Sequence, residues 1–205
     1  MAKLYFKYGS MGSSKTANAL MTRFNYIEKG KTVWLIKPAT DTRDDRINKF
    51  GRKETVIKSR IGLEAIANVI EESDKVINKL EDISGEILEI DAIIADEAQF
   101  FTESQILELR KIASCYNVPV FCFGLRTDFR GKLFPGSKAL FELADSISEI
   151  KSICKCGNKA IINARFDSSG NVVTEGEQVD IGGNEKYEGM CWLCWNEKKN
   201  AKMEK

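Results

Sequence analysis

The stretch Gly9-Ser-Met-Gly-Ser-Ser-Lys-Thr16 decides how this chain is read. It follows the short apolar run Leu4-Tyr5-Phe6 and opens a helical pattern, so the local order is strand, small-residue turn, helix start. Backbone N–H groups in such a turn point inward, and the helix N-terminus adds the positive end of its dipole. Both favour bound phosphate. Read against G-x-x-x-x-G-K-[ST], the residues Gly9, Ser10, Met11, Gly12, Ser13 and Ser14 form the cradle. Lys15 reaches the β/γ-phosphates and Thr16 holds Mg²⁺. Ser14 stands where the last glycine is expected, a position where the absence of a Cβ avoids strain. A Ser/Gly-rich N-cap followed by Lys-Thr has the same composition, but the strand–turn–helix context favours the phosphate loop.

Outward from this loop the chain alternates. Further apolar runs lie at Thr32 to Ile36, Ala92 to Ala95 and Val118 to Phe123. Their near-continuous apolar character suits strands buried on both faces of a parallel sheet. Helices are expected at Lys15 to Lys29, stopped by Gly30, at Leu63 to Lys79, and at Ser104 to Tyr116 with Thr102 as N-cap. One more short helix is expected at Ala139 to Ala144, and a strand at Ile147 to Ile153. Strand–helix alternation means right-handed βαβ units. The 205 residues suffice for one such domain plus a small appendage. Composition changes near residue 150, so the expected division is 1–150, 151–195 and a tail, 196–205, rich in Lys, Glu and Asn and expected to be frayed or disordered.

Lys+Arg 31 against Asp+Glu 30 gives a net charge of +1, so bulk charge offers no basic face for nucleic acid. No stretch reads as a signal peptide or is long enough to span a membrane. Together with six cysteines, this points to a reduced, cytoplasmic protein rather than a disulfide scaffold. There is no histidine. Acid–base chemistry must therefore fall on a carboxylate, Lys, Tyr or Cys, and a zinc site must be built without imidazole.

The apolar run Ala92 to Ala95 leads into Asp96-Glu-Ala-Gln99. In an open parallel sheet, ligands sit beyond the carboxyl ends of the strands, and both the loop at 9–16 and this acid pair fall at such ends. The first acid, Asp96, is placed to serve Mg²⁺ and the second, Glu97, to accept a proton from a nucleophile. A dipole-favoured N-cap accounts for Asp96 alone but not for the pair. After the strand at 32–36 come Asp41 and Arg43. Arg43 has the fork for phosphate oxygens and Asp41 is a candidate for metal or water.

Cys154-Lys-Cys156 and Cys191-Trp-Leu-Cys194 are two close pairs separated by a loop, the pattern of a tetrahedral Cys₄ zinc site, although C-x-C is one residue shorter than usual. Such a site clips the loop 157–190 and performs no chemistry. Cys115 and Cys122 read as small core residues. The clipped loop carries Gln178, Val179, Asp180, Ile181, Gly182, Gly183 and Tyr187. Two readings stand for it: a backbone that approaches a ligand closely under an aromatic cover, or an ordinary glycine turn with an exposed Tyr.

These segments, with Lys37-Pro-Ala-Thr-Asp-Thr-Arg43, Ser59-Arg-Ile-Gly62, Gly124-Leu-Arg-Thr-Asp-Phe129 and Ile181-Gly-Gly-x-x-x-Tyr187, resemble the type II (cytosolic-type) thymidine kinase family from Tyr5 to Trp195. The resemblance implies an α/β fold: a RecA-like phosphate-loop domain with a parallel sheet flanked by helices, plus a small zinc-bound lasso closing over the nucleoside. It implies transfer of the γ-phosphate of ATP to the 5′-hydroxyl of thymidine, and of deoxyuridine, with Mg²⁺ and a structural Zn²⁺. Glu97 is then the general base, and Arg43 and Arg165 face phosphates. Met11, Phe101, Leu125, Phe129, Phe134, Asn163 and Tyr187 form the nucleoside pocket, and backbone from Gln178 to Ile181 reads the thymine edge. The family also implies a homotetramer inhibited by thymidine triphosphate, with neither membrane nor nucleic acid as partner.

Three rivals differ in class. Asp96-Glu-Ala-Gln99 also resembles a helicase motif, but 205 residues cannot supply the second core domain a helicase needs. A phosphate-loop ATPase with a nucleic-acid-binding zinc ribbon calls for a basic, aromatic-studded ribbon. Here the loop carries Glu175, Glu177, Asp180, Glu185 and Glu188. A non-enzymatic zinc module leaves Lys15-Thr16 and Asp96-Glu97 unexplained.

Overall fold

A computed structural model of the chain describes residues 1–84, 89–180 and 186–200. In chain order its elements are β1 (Leu4–Tyr8), α1 (Lys15–Ile27), β2 (Val33–Pro38), β3 (Arg46–Ile47), β4 (Lys53–Glu54), β5 (Val56–Lys58), β6 (Glu64–Ile66), β7 (Asn68–Ile70), α2 (Val76–Ser84), β8 (Ala92–Ala95), α3 (Glu103–Cys115), β9 (Val120–Gly124), α4 (Pro135–Leu143), β10 (Ser146–Glu149), β11 (Ile162–Arg165), β12 (Tyr187–Met190) and α5 (Trp192–Asn200). Six strands form one sheet in the order β10-β1-β9-β8-β2-β7, every pair parallel. Pleating sends alternate side chains to opposite faces. Leu4, Phe6, Trp34, Ile36, Ile93, Ala95 and Cys122 share one core with α2, α3 and α4. Leu35, Ile94 and Phe123 pack on the other face against Ala19 and Leu20 of α1. Both faces are covered, which is why these strands read as unbroken apolar runs rather than as alternation. Thr102 caps α3 as expected: its hydroxyl accepts from Gln105 N–H (3.2 Å) while Gln105 Oε1 accepts from Thr102 N–H (3.1 Å).

The helix expected over Leu63 to Lys79 is absent. The segment instead holds β6, the edge strand β7 and the start of α2. Leu63, Ile66, Ala67 and Ile70 carry a helical spacing. Pairing of β6 with β5 and of β7 with β2 overrides it, with Gly62 at φ +90° closing the preceding turn. The hairpins β3–β4 and β5–β6, which the sequence did not announce, stand between the second and third sheet strands in the chain.

After β10 an antiparallel ribbon, β11–β12, and α5 gather around Cys154, Ala160, Ile162, Ala164, Val172, Met190, Cys191 and Trp195, a second small core. Helix α5 runs to Asn200, so the first five residues read from composition as a frayed tail are helical, and 201–205 lie outside the described residues. Cys115 is exposed at the end of α3 rather than in the core, whereas Cys122 is buried. No helix among the described residues is long and apolar enough to cross a membrane.

Candidate active site

The phosphate loop joins β1 to α1 at the carboxyl end of the sheet. Gly9 must be glycine, because a Cβ there would overlap Ser13 and the Ile150 carbonyl. Ser14 adopts the left-handed conformation, φ 61°, ψ 29°, that the missing glycine would take freely. For a residue with a Cβ this costs about 1–2 kcal/mol. Lys15 curls back into the loop, and its Nζ donates to Ser10 O (2.9 Å) and Ser13 Oγ (3.4 Å). Burial pulls the Lys15 ammonium down to about 8 against the pull of Glu97 and Asp96.

Asp96 and Glu97 follow β8, two strands away from β1 in the sheet. Asp96 is buried, bonds to Thr16, and its Oδ1 has no hydrogen-bond partner. Burial, then the adjacent Glu97 carboxylate, raises Asp96 to about 7. Glu97 has φ 50°, a left-handed backbone at a non-glycine residue, and leads into a 3-10 turn over Ala98–Phe100. Both its carboxylate oxygens are occupied: Oε1 accepts from Arg43 Nη2 and Oε2 from Gln99 Nε2, each at 2.6 Å. Burial works to raise its pKa, but Arg43 and Lys15 outweigh it, so Glu97 titrates below the ordinary glutamate range.

Arg43 is delivered by a buried ionic chain. Its Nε meets Asp41 Oδ1 at 2.6 Å. Lys37, with no exposed surface, sits 2.8 Å from Asp45, 3.0 Å from the Val56 carbonyl and 4.0 Å from the other oxygen of Asp41. The sequence marked Asp41 and Arg43 but not Lys37. A lysine at the end of an apolar strand reads as a solvated strand terminus, and only the three-dimensional fold shows that two aspartates enclose it.

Two cavities flank Glu97. One, a cleft of about 450 Å³, is lined by Met11, Gly12, Ser14, Lys15, Thr16 and the β5–β6 turn. The other, a narrower pocket of about 50 Å³ that is also open to solvent, lies among Met11, Gln99, Phe100, Leu125, Thr127, Asp128, Phe129, Phe134, Asn163, Gln178, Val179, Asp180 and Tyr187. Met11, Arg43 and Glu97 border both. Of the residues expected at the second cavity, Phe101 is elsewhere: it is buried in the core beneath α3, and Phe100 stands at the cavity wall instead. Arg165 does not face the phosphate loop. It stacks on Phe129 (4.7 Å to the ring centroid), donates to the Glu177 carbonyl (3.1 Å) and lies 3.7 Å from Asp180. Asn163 lines the cavity, but its amide is engaged on both sides: Oδ1 accepts from Met11 N–H and Nδ2 donates to the Thr127 carbonyl, both at 2.7 Å. Gln178 donates to Asp128 (3.1 Å), and Tyr187 donates to the Asp180 carbonyl (2.8 Å). Ile181, Gly182 and Gly183 lie outside the described residues. Sequence reading also missed Gln99, which anchors Glu97 and accepts from Leu125 N–H (2.9 Å).

The ribbon touches the phosphate loop directly. A Cβ on Gly189 would stand 2.7 Å from the Met11 carbonyl, so only glycine lets β12 approach that closely. Beyond the ribbon, the sulfurs of Cys154, Cys156, Cys191 and Cys194 all lie within 4.8 Å of one another, with Cys156 and Cys191 3.6 Å apart. A zinc tetrahedron with Zn–S near 2.3 Å has edges of about 3.8 Å, so the four thiols fit the metal despite the short C-x-C spacing. Burial opposes ionisation of Cys154, but hydrogen bonds from Cys156 and Cys191 bring it down to about 7, towards the thiolate a metal needs.

A family model described as thymidine kinase matches residues 2–195. A thymidine kinase of Zymomonas mobilis is 42% identical over 201 residues, covering 98% of this chain and 100% of the relative. A thymidine kinase of Legionella pneumophila is 44% identical over 193 residues, 94% and 88% of the two chains. One of Rhizobium meliloti is 42% identical over 199 residues, 97% and 98%. Among solved structures, a Bacteroides Pif1 bound to single-stranded DNA aligns over 72% of this chain and 38% of that one with a TM-score of 0.37 and 16% identity. That likeness is too slight to bear on fold or function. A phosphate loop, an acid pair at a strand end of the same sheet and a four-cysteine cluster agree with a match over nearly the whole chain: this protein belongs to the thymidine kinase family.

Proposed function

We propose that the protein transfers the γ-phosphate of ATP to the 5′-hydroxyl of thymidine, and of deoxyuridine, as a salvage step. The observation that carries this is the position of Glu97 on the wall shared by the loop-lined cleft and the narrower pocket beside it. Donor phosphates rest on the loop amides and Lys15. The nucleoside enters at the narrower pocket, which widens to admit it, with its 5′-hydroxyl towards Glu97, which takes the proton as the new P–O bond forms and the bond to the β-phosphate breaks. A low pKa keeps Glu97 ionised and ready. Its two oxygens are engaged at rest, so accepting a proton requires one partner to leave. A phosphate that draws Arg43 away from Oε1 frees that oxygen.

The buried, unpartnered Asp96 Oδ1 beside Thr16 suits Mg²⁺, held directly or through water. When bound, the ion supplies charge neutralisation on the transferring phosphates. The cysteines hold a structural zinc. Residues 1–150 act as the donor-binding domain and 151–195 as the lasso that covers the nucleoside, with Gln178, Val179 and Asp180 over the base. Family membership supports a cytoplasmic homotetramer with feedback inhibition by thymidine triphosphate.

The test is formation of thymidine monophosphate from ATP and thymidine, run beside a nucleoside panel. Product from thymidine and deoxyuridine is expected. Equal use of deoxyguanosine would refute the reading of the pocket, and ATP hydrolysis that responds to single-stranded nucleic acid but not to thymidine would favour the zinc-ribbon ATPase.

A further inference from the structure

The donor cleft has a wall that the phosphate loop does not provide. Strands β5 and β6 close through Ser59, Arg60, Ile61 and Gly62, and this turn faces the loop across the cleft. The turn is braced. Ser59 is buried, its hydroxyl accepts from Leu63 N–H (3.0 Å) and donates to the Leu63 carbonyl (3.1 Å), and Gly62 N–H bonds back to the Ser59 carbonyl at 3.1 Å. A braced turn carries its side chains at little entropic cost.

Arg60 is exposed at this turn, and its Nη1 lies 3.5 Å from where a side chain on Gly12 would begin, above the middle of the phosphate loop. Among the described residues it makes no ion pair or hydrogen bond. The other cations bordering the cleft are committed: Arg43 to Asp41 and Glu97, Lys58 to Glu64 at 3.9 Å, and Lys15 to loop oxygens. A guanidinium without a counter-ion, across the cleft from the phosphate loop and Lys15, leaves a gap whose complement is an anion with oxygens on two sides.

We infer that Arg60 is a second phosphate clamp: it contacts the donor triphosphate from the side opposite the loop and stabilises the charge that builds as the γ-phosphoryl group leaves. The inference rests on the ATP-kinase reading above. It makes the β5–β6 turn part of the active site.

The experiment compares wild type with Arg60→Gln and Arg60→Lys, using Lys49→Gln, an exposed site outside both cavities, as a control for lost charge. Titration of a non-hydrolysable ATP analogue with Mg²⁺ should show at least about tenfold weaker binding in Arg60→Gln, and kcat/KM for ATP should fall by about 10²-fold or more, the range for losing one such donor. The dissociation constant for thymidine alone should stay within twofold. Arg60→Lys should recover more of the binding than of kcat, because it keeps the charge and loses the fork. Donor binding and kcat/KM within threefold of wild type in Arg60→Gln would overturn the inference. If wild type binds the analogue yet phosphorylates no thymidine, the kinase reading fails, and the binding comparison still judges Arg60 on its own.

Discussion

At the residue scale, the proposed transfer turns on Glu97, which would serve as a base although both its oxygens are engaged at rest. Glu97→Gln keeps the shape and the hydrogen bond to Arg43 but cannot take a proton. Turnover is expected to fall by about 10²-fold or more, with binding of the ATP analogue retained. Near-normal turnover in steady-state assay would remove Glu97 from the role. Lys15 supplies a pH signature. Its ammonium is held down to about 8 in the free protein, so it loses its charge as pH rises through that value, and kcat/KM for ATP should decline above pH 8. Bound phosphates restore the charged form, so kcat should lack this limb. A flat kcat/KM profile from pH 7 to 9.5 would count against Lys15 as a donor contact. These residues were legible because their chemistry is tied to short spacings at strand ends. Lys37 and Gln99 were not, since each ties a near neighbour to a distant partner: Lys37 joins Asp41 to Asp45 and the Val56 carbonyl, and Gln99 joins Glu97 to Leu125.

At the element scale, the segment from β2 to β5 is held by one buried cation. Lys37→Met keeps the length of the side chain but removes the buried cation that Asp45 and Asp41 share, leaving Asp45 with Lys53 at 3.3 Å and Asp41 with Arg43. Losing one partner of a buried pair costs about 3–5 kcal/mol, which urea denaturation should read as a lower midpoint. A shift under 1 kcal/mol would mean that the aspartates find other partners. The lasso depends on its four sulfurs in the same way. Metal-replete protein should contain about one zinc per chain, and Cys191→Ser should lose it. Chelation should then raise hydrogen exchange through β11 and β12, and with it at Met11, because Asn163 and Gly189 seat the ribbon on the phosphate loop. Unchanged exchange at Met11 after zinc removal would break that link. The cysteine pairs were readable from spacing alone. The β5–β6 hairpin was not, because Leu63, Ile66, Ala67 and Ile70 fit a helix as well as a strand, and only the neighbouring strands choose between them.

At the scale of the whole molecule, the alternation of apolar runs and helical patterns announced the parallel sheet correctly, since strands buried on both faces leave an unambiguous trace. It could not give the strand order, which depends on which crossovers pass which face. That order sets β1, β8 and β2 with their carboxyl ends around one point, and everything reactive hangs from those ends. Among the described residues, three non-glycine positions have a left-handed backbone: Ser14, Glu97 and Asn117. Two of them stand at that point. Selection for heat resistance alone would therefore act unevenly on this chain. Ser14→Gly should be among its first gains, raising Tm by about 2–4 °C for each kcal/mol recovered, with turnover kept. Relief at position 97 by glycine or asparagine would be rewarded in the same screen and would silence the protein. Variants recovered by surviving heat should thus separate into active ones altered at 14 and inert ones altered at 97, a division that a screen reading activity beside survival would expose.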